Sequence, residues 1–398
     1  MNRRIVITFV SNYINHHQLP FCDAMNEIDD VEFHFVQTMP MEEKRLQMGW
    51  GVDPLNYPYV SLWYEERAKC EKYILDSDVT ILGWSEGLIS DIEEKRLSSG
   101  KLTFRVSERI YREGQWKFIS PKGLVNKYKE HIRYRNKPVY LLCAGAYVAS
   151  DFSLIHSYPG KMLKWGYFPV YETDVIKKDL PEKIRICWAG RLIDLKHPEF
   201  AIEAARVLKE KGYEFSVDII GDGSRRGYIE DLVRKYNLRD EVALRGNLTP
   251  QKVREYMKEA DIFLFTSNYL EGWGAVVNEA MGCGLCVVAS NEAGAVPFLI
   301  KDMENGLTYN NGSLEDFLGK VMYLFESRDK IRTFGERALT TIKDMWNADA
   351  AAGEFVRFSK EYLDGKEPSK ALEGPMSKAK VIRAQGFMRT MKERNVLE

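Results

Sequence analysis

From residue 184 onward the chain alternates short apolar runs with longer segments of helical periodicity. Within 198–212, for example, Ile202, Ala205 and Leu208 recur at the spacing of one helix face. Runs that are apolar throughout are typical of strands buried on both faces, so the alternation predicts a parallel sheet covered by helices. The predicted strands are 184–189, 215–221, 241–246, 261–267 and 285–290.

The first half of the chain repeats this pattern less regularly, and it predicts a second α/β domain. Its predicted strands are 4–10, 31–36, 79–83, 102–106, 139–143 and 162–166. The expected fold is therefore α/β, with two Rossmann-like, doubly wound domains facing each other across a cleft. Open parallel sheets bind ligands at the carboxyl ends of their strands, so we expect the site in that cleft.

A chain of 398 residues is long enough for two domains. We predict a first domain over 1–172 and a second, ligand-binding domain over 173–345, with the linker near 170–177. The segment 346–364 is predicted to be a helix that packs back on the first domain. The remainder, 365–398, is basic and contains prolines and glycines, which predicts a partly loose tail.

Composition and charge exclude several classes of protein. The net charge of −1 provides no global field for binding nucleic acid. The chain contains no apolar run of membrane-spanning length, and its start lacks the features of a signal peptide. The cysteines are scattered through apolar segments, which favours a reducing, cytoplasmic location. Cys283 and Cys286 have a metal-binding spacing, but no second pair completes a zinc site, so we expect a structural role.

The most specific chemical signal is the segment 271–279, which follows a predicted strand and opens a predicted helix. Gly272 and Gly274 would let the backbone approach a ligand closely. The amides of 274–276 would then bind an anion such as a diphosphate. Glu279, more than one turn further into the helix, would accept hydrogen bonds from ribose hydroxyls. Acids near a helix start are also favoured by the macrodipole, but Gly-Trp-Gly is a poor helix opening unless something approaches it.

A second signal follows the strand 184–189, where Gly190 precedes two cations, Arg191 and Lys196. The planar guanidinium can pair with two phosphate oxygens, and the lysine adds a mobile point charge. A solvated loop is the ordinary alternative. The acidic segment downstream favours diphosphate binding instead.

These segments resemble, in order, the C-terminal domain of the family 4 glycosyltransferases, also called glycosyl transferases group 1. The similar segments are 190–196, 219–223, 244–246, 261–267, 271–279 and 304–307. The resemblance implies the GT-B fold, retention of anomeric configuration and no obligatory metal. It also implies that Arg191 and Lys196 hold the diphosphate, that Glu271 holds the sugar hydroxyls, and that the backbone near Leu248 holds the nucleobase. The full expected donor site is Gly190, Arg191, Lys196, Leu248, Glu271, Gly272, Trp273, Gly274, Ala275, Val276 and Glu279.

The sequence departs from this family at several positions. Trp273 stands where phenylalanine is usual, and we expect it to reshape the sugar pocket. Cys286 replaces a common proline. The glycine pair that often follows the first strand in this family is absent, and the segment 10–18 occupies that place. In that segment Asn15 is expected to cap the next helix, while His16 and His17 are acceptor-side candidates.

Histidine exchanges protons near neutral pH, so His17 joins Arg191, Lys196 and Glu271 as a catalytic candidate. Two polar residues in a first helical turn are the alternative explanation of the histidine pair. The other histidines, including His197, are interpreted as ordinary surface or core residues. Asp76 and Asp78 have the spacing of a metal-binding Asp-x-Asp, but they stand between a helix and a strand, which favours turn formation.

Residues 112–137 contain eight cations and two acids, a net charge of +6. Trp116, Phe118, Tyr128 and Tyr134 lie among them, which indicates contact with an anionic membrane; the alternative is a solvated basic face with the aromatics in the core. The tail adds a possible short basic helix with an apolar face formed by Ile382, Phe387, Met388 and Met391.

Together these observations predict a metal-independent, retaining hexosyltransferase that needs no cofactor and uses a UDP- or GDP-sugar. The expected acceptor is a glycan or a lipid-linked glycan in cell-surface polysaccharide or glycolipid synthesis. The expected location is cytoplasmic, peripheral to the membrane. A GT-B sugar-nucleotide epimerase or phosphorylase and a non-catalytic, transferase-like binding subunit are the alternatives.

Overall fold

The computed structural model describes residues 3–47, 49, 51–171 and 180–382. The chain divides into two compact units, one formed by Met1–Pro169 with Ala348–Glu398 and the other by Val170–Asn347. Most of the linker predicted at 170–177 lies outside the described residues.

The first unit contains a seven-stranded parallel sheet in the order β3-β2-β1-β4-β5-β6-β7. The short strand β3 did not emerge from the sequence pattern, because three residues are too few to display a strand periodicity. The strands are β1 Ile5–Ser11, β2 Val31–Gln37, β3 Val60–Leu62, β4 Val79–Leu82, β5 Leu102–Ser107, β6 Val139–Ala144 and β7 Met162–Trp165. The helices between them are α1 Leu19–Asn26, α2 Glu43–Gln47, α3 Arg67–Asp76, α4 Ser90–Ser98, α5 Pro121–Glu130 and α6 Val148–Leu154.

The second unit contains a six-stranded parallel sheet in the order β10-β9-β8-β11-β12-β13. The predicted strands agree with it to within two residues, and the short β13 is additional. The strands are β8 Ile184–Ala189, β9 Phe215–Ile220, β10 Val242–Gly246, β11 Ile262–Phe265, β12 Cys286–Ser290 and β13 Leu307–Tyr309. The helices are α7 Glu199–Glu210, α8 Arg226–Lys235, α9 Pro250–Glu259, α10 Val276–Gly282, α11 Val296–Leu299, α12 Leu314–Glu326 and α13 Asp329–Asp344.

The α/β fold with two parallel sheets is thereby confirmed. In the second sheet the chain order reverses beside β8, which pairs with β9 on one side and β11 on the other. The strands are parallel, so the loops that follow them emerge at one edge. That edge beside a reversal is where open α/β sheets place ligands.

Helix α14, Ala348–Leu363, belongs to the first unit. Its Phe355 is fully buried and its ring centre lies 4.6 Å from that of Phe104 and 6.4 Å from that of Phe21. The helix is thus fixed by aromatic packing against the first sheet and α1.

Part of the tail predicted to be partly loose from residue 365 packs on β7. Met162 and Lys164 exchange backbone hydrogen bonds with 376–379, and Met376 is completely buried. Burial of that side chain gives the segment a reason to be ordered. Of the predicted apolar face of the tail, Phe387, Met388 and Met391 lie outside the described residues.

All the cysteines are free and buried, including Cys283 and Cys286. Cys283 closes α10 and Cys286 begins β12, so the pair occupies a helix-to-strand turn. Across the residues that the structure describes, no helix is both long and apolar enough to cross a membrane.

Candidate functional site

The loop after β8 carries Arg191, and it is hydrogen-bonded to the loop after β9. The amide of Leu192 donates to the carbonyl of Asp222 at 2.9 Å, and the Leu192 side chain is buried. A Cβ on Gly221 would lie 1.9 Å from the Gly190 carbonyl oxygen, and one on Gly223 would lie 2.4 Å from that of Leu192. Both positions therefore require glycine.

Arg191 itself is exposed beside this anchored backbone. Within the described ranges its guanidinium has no recorded hydrogen bond or ion pair. Since the loop on either side is fixed, the side chain is presented to solvent at the edge of the sheet. Its donors are available to an anion.

Lys196 ends a short 3-10 turn, Asp194–Lys196, and forms an ion pair with Glu271 from the loop after β11. The ammonium also lies 5.9 Å from the centre of the Phe265 ring. Both charged side chains are mostly buried. The structure therefore brings together two of the residues that the sequence analysis assigned to opposite ends of the donor.

The loop before Glu271 is a tight turn built by Asn268. Its side-chain oxygen accepts from the amide of Leu270 at 3.0 Å, and its carbonyl accepts from the amide of Glu271 at 3.0 Å. An asparagine that bonds to the backbone two residues on is a common turn device. Asn268 thereby fixes the backbone of the turn that leads into Glu271.

The glycines around Trp273 have packing reasons of their own. Gly274 has φ +83°, and a Cβ there would lie 2.5 Å from the Phe265 ring. A Cβ on Gly294, in the loop after β12, would lie 1.7 Å from the carbonyl oxygen of Gly272. The glycine pattern that suggested a ligand is thus demanded by the protein's own close packing as well.

The side chain of Trp273 does not line the site, and the expectation that it reshapes the sugar pocket is wrong. The indole is 1% exposed, and its Nε1 donates to Asn278 at 2.8 Å. Its ring centre lies 6.0 Å from that of Trp346 and 6.3 Å from that of Phe298. Trp273 is a core residue of the second unit, and its indole is closed off from solvent.

Helix α10 begins at Val276, and Glu279 lies in its first turn rather than further in as expected. Burial raises the pKa of the Glu279 carboxyl to about 7, and the charge of Arg254 opposes that rise. A half-buried carboxyl with such a pKa changes its charge near neutrality. The amide of Val277, the second residue of α10, donates to the Gly274 carbonyl at 2.9 Å.

Leu248 follows β10 at the same edge of the sheet and is half-buried. The strand ends at Gly246, whose carbonyl accepts from the amide of Gly221 at 2.8 Å. The next residue after Leu248, Thr249, caps α9 by accepting from the Lys252 amide. The backbone around Leu248 is thereby fixed next to the loop that supports Gly190.

The sequence analysis missed His197, which links the two loops of the site. Its Nδ1 lies 2.8 Å from Glu199 Oε1, and its Nε2 lies 3.2 Å from the side-chain nitrogen of Asn268. An amide nitrogen can only donate, so the arrangement assigns the proton to Nδ1. His197 adopts φ +45°, a left-handed conformation that is unusual outside glycine. Its position directly after Lys196 was the one signal in the sequence.

The electrostatics of Glu199 agree with this arrangement. Burial alone would raise the pKa of its carboxyl, but the hydrogen bond from His197, with other polar contacts, leaves that pKa below its ordinary value.

A second link between the loops of the site runs from Trp188 Nε1 to Thr266 Oγ1, which in turn donates to the Lys196 carbonyl at 2.6 Å. The backbone of Lys196 is thus fixed by the residue that follows β11.

In the first unit, Asn15 does not cap helix α1, which starts at Leu19 after a separate turn. Its side-chain oxygen instead accepts from the amide of His17 at 3.0 Å. The His17 ring lies parallel to that of Tyr167, with 5.9 Å between centres, and beside that of His16 at 3.9 Å. The histidines are therefore part of a turn, not of a helix.

A shallow depression, partly open to solvent, lies at the carboxyl ends of the first unit's strands. His17, Trp84 and Tyr167 line it, and the Tyr167 hydroxyl donates to Glu108 at 3.0 Å. Flat aromatic faces beside a carboxylate are suited to a polar ring-shaped ligand. The sequence analysis did not single out Trp84, Glu108 or Tyr167.

The Asp-x-Asp segment serves local structure. Asp78 accepts from the amide of Val6 at 2.9 Å and pairs with Arg3. The intervening Ser77 lies 2.6 Å from Thr8 Oγ1. These contacts tie the end of α3 to β1, as turn formation predicts.

Comparison with known proteins gives the site a context. Residues 172–341 match the family model "Glycosyl transferases group 1". The amylovoran biosynthesis glycosyltransferase AmsK of Erwinia amylovora is 35% identical over 136 residues, 33% of each chain. The poly(ribitol-phosphate) alpha-N-acetylglucosaminyltransferase of Staphylococcus aureus is 29% identical over 168 residues, 42% of this chain. The matched segment spans about a third of either relative's length.

Among solved structures, Anabaena HepE in complex with UDP and glucose superposes with a TM-score of 0.62. The match covers 91% of this chain and all of HepE at 13% identity. An identity that low shows a shared fold, which extends the similarity from the second unit to nearly the whole chain.

Proposed function

We propose that this chain is a member of the glycosyl transferases group 1 family, whose model its residues 172–341 match, and that it is a retaining glycosyltransferase that uses a nucleoside diphosphate sugar. The observation that carries the proposal is the Lys196–Glu271 ion pair, with Arg191 exposed on the same loop as Lys196. Two cations suit a diphosphate, and a carboxylate suits the hydroxyls of a sugar. The arrangement supplies binding groups for both halves of the donor.

In the proposed reaction, the bond between the anomeric carbon and the donor's phosphate oxygen breaks. The acceptor oxygen bonds to the same face of that carbon, and the acceptor's hydroxyl proton passes to the departing phosphate. Arg191 and Lys196 stabilise the charge that develops on the diphosphate, while Glu271 holds the sugar. The proposal requires no covalent sugar–enzyme intermediate. Mass spectrometry after incubation with donor should therefore find an unmodified chain.

We take a UDP-hexose as the donor. Support comes from HepE, whose structure holds UDP and glucose, and from the S. aureus relative, whose name specifies N-acetylglucosamine transfer. The backbone near Leu248 is the proposed contact for the base, and Glu279 is the proposed acceptor of hydrogen bonds from the ribose. Both lie in the second unit, as do the proposed diphosphate ligands.

The proposed acceptor is a glycan or lipid-linked glycan of a cell-surface polysaccharide, handled on the cytoplasmic side of a membrane. The role of AmsK in amylovoran biosynthesis supports that class of acceptor. In the first unit, Trp84 and Tyr167 offer ring faces for a sugar, and Glu108 offers a hydrogen-bond acceptor. His17 is the proposed group for proton exchange on the acceptor side.

A thermal-shift screen with UDP, GDP, ADP and their sugars tests the donor. Binding at a hundredfold excess over Kd should stabilise the folded chain by about 2.7 kcal/mol. We expect the largest shift with UDP or a UDP-sugar, reduced in Arg191→Ala. The absence of a shift with every nucleotide would refute the proposal.

Incubation of the wild-type chain with the bound donor, with and without glycan acceptors, separates the alternative functions. A transferase produces a glycosylated acceptor together with the nucleoside diphosphate. An epimerase would convert the donor sugar without acceptor, and a binding subunit would shift in melting temperature but release no product.

A further inference from the structure

Helix α5, Pro121–Glu130, turns its apolar side to the solvent. Val125 is 54% exposed, Tyr128 is 57% exposed and Leu124 is 36% exposed. Successive residues of a helix are rotated by about 100°, so these three side chains form one stripe along it. Ile119, just before the helix, is exposed as well.

The opposite side of α5 is its more covered side. Gly123 and Lys127 are the partly covered residues of the helix, and none of its residues is buried. A surface helix of a water-soluble protein ordinarily buries its apolar stripe and exposes its polar side. Here the apolar stripe is exposed, and contiguous exposed apolar side chains of this kind mark a surface that contacts a partner.

Positive charge borders the stripe. Lys122 and Lys129 lie along one of its edges, and neither has an ion-pair partner among the residues described. Lys127, on the other edge, pairs with Glu130. An apolar stripe flanked by uncompensated lysines is typical of helices that lie in the interface of an anionic bilayer.

The start of the helix is fixed locally. Ser120 caps it by accepting from the Gly123 amide at 3.3 Å. The segment before Ser120 is anchored by the fully buried Asp151, which pairs with Arg109 and accepts from Gln115 at 2.8 Å. The helix therefore begins at a defined point of the first unit.

The structure changes which residues carry the membrane contact expected from the sequence. Tyr134 is buried, Phe118 is partly buried against the core of the first unit, and Trp116 is partly buried as well. Tyr128 is the exposed one of these four aromatic residues, and the exposed aliphatic side chains of Leu124 and Val125 lie beside it.

We propose that α5 docks this protein on an anionic lipid surface. Leu124, Val125 and Tyr128 enter the boundary between headgroups and acyl chains, and Lys122 and Lys129 contact lipid phosphates. A second copy of the chain is a poorer occupant. A stripe of three side chains is far smaller than a stable dimer interface, and symmetric pairing would oppose like charges.

Vesicle flotation of the full chain tests this inference. The wild type should float with vesicles of phosphatidylcholine and phosphatidylglycerol at low salt and detach at high salt or from pure phosphatidylcholine. Val125→Glu should lower the partition coefficient by about tenfold or more, and Lys122→Glu by about fivefold. Leu55→Glu is the matched control, since Leu55 is exposed in the same unit outside α5, and it should bind like the wild type.

The inference would be overturned by a wild type that does not float with anionic vesicles, or by an equal loss in Leu55→Glu. A wild-type dimer in solution that Val125→Glu dissociates would assign the stripe to a second copy instead. The UDP thermal shift should be the same in Val125→Glu as in the wild type. If UDP produces no shift in either protein, the proposed transferase fails while the docking result still stands.

Discussion

Lys196 and Glu271 form an ion pair across 75 residues of sequence, with 13% and 14% of their side chains exposed. Their loops follow β8 and β11, which are neighbours in the second sheet. In the proposed complex, Lys196 binds the diphosphate and Glu271 binds the sugar hydroxyls. The donor then replaces an internal ion pair with contacts to each of its halves.

Replacement of Glu271 by glutamine separates binding from transfer. Glu271→Gln releases Lys196 from its partner, so affinity for UDP should be kept or should increase, while sugar transfer should fall by at least about tenfold. Calorimetry and a transfer assay measure the two effects. Glu259→Gln, which removes an exposed partner of Arg185 in the same unit, should leave both unchanged. Wild-type turnover in Glu271→Gln would refute the assigned role.

Arg191 is expected to act on the ligand and not on the fold. Arg191→Ala should weaken UDP binding about tenfold, since a hydrogen bond to a charged group contributes about 1.5–3 kcal/mol and an exposed one contributes less. The melting temperature without ligand should not change, because the side chain is exposed. Arg239→Ala, another exposed arginine of the second unit, is the control. An unchanged affinity for UDP would exclude Arg191 from the diphosphate site.

His197 is expected to act by positioning Glu271 through Asn268. His197→Asn suits the left-handed backbone but removes the imidazole bonds, so kcat should fall several-fold with little change in UDP affinity. The loss should not add to that of Glu271→Gln in the double variant, since both act on one group. His156→Asn is the matched control, because His156 is exposed in the first unit with φ +50°. Additive losses would contradict the positioning role.

The raised pKa of Glu279 predicts a pH dependence of donor binding. Its carboxylate accepts ribose hydroxyls best when ionised, so UDP affinity should rise between about pH 6 and pH 8. Ionisation of UDP itself contributes to any such rise, so the part removed by Glu279→Gln is the measure. An identical pH profile in wild type and variant would contradict the assignment.

The same pKa gives a prediction for stability without ligand. The pKa of Glu279 in the folded chain, about 7, lies above the ordinary value of 4.5, so folding favours the protonated form. That contribution is fully present below pH 4.5 and is lost as pH rises through 7. Over this range the stability of Glu279→Gln should increase relative to that of the wild type. Chemical unfolding at several pH values measures the difference.

Transfer is expected to survive excess EDTA. Asp78, the one acid of the Asp-x-Asp segment with defined contacts to β1, is engaged by the Val6 amide and Arg3. Loss of activity in EDTA with recovery on addition of Mn²⁺ would contradict this prediction. Zn²⁺ and Ca²⁺ serve as comparison ions in the recovery step.

The sequence by itself determined the α/β fold and most of its strands, because apolar runs and helical periodicity are visible within short stretches of sequence. It also located Arg191, Lys196 and Glu271, since charges and glycines after strands are visible in the chain order. The three-residue strands Val60–Leu62 and Leu307–Tyr309 were beyond its reach, because pairing with neighbours defines them more than their own pattern does.

Tertiary structure alone decided where the side chains point. It paired Lys196 with Glu271, turned the Trp273 indole into the core, and made His197 the link between two loops. For α5 the sequence showed a basic stretch with aromatic residues, but only the structure showed that Leu124, Val125 and Tyr128 face outward together. The physical reason is common to all four: the direction of a side chain depends on packing between segments far apart in sequence, which a local pattern does not contain.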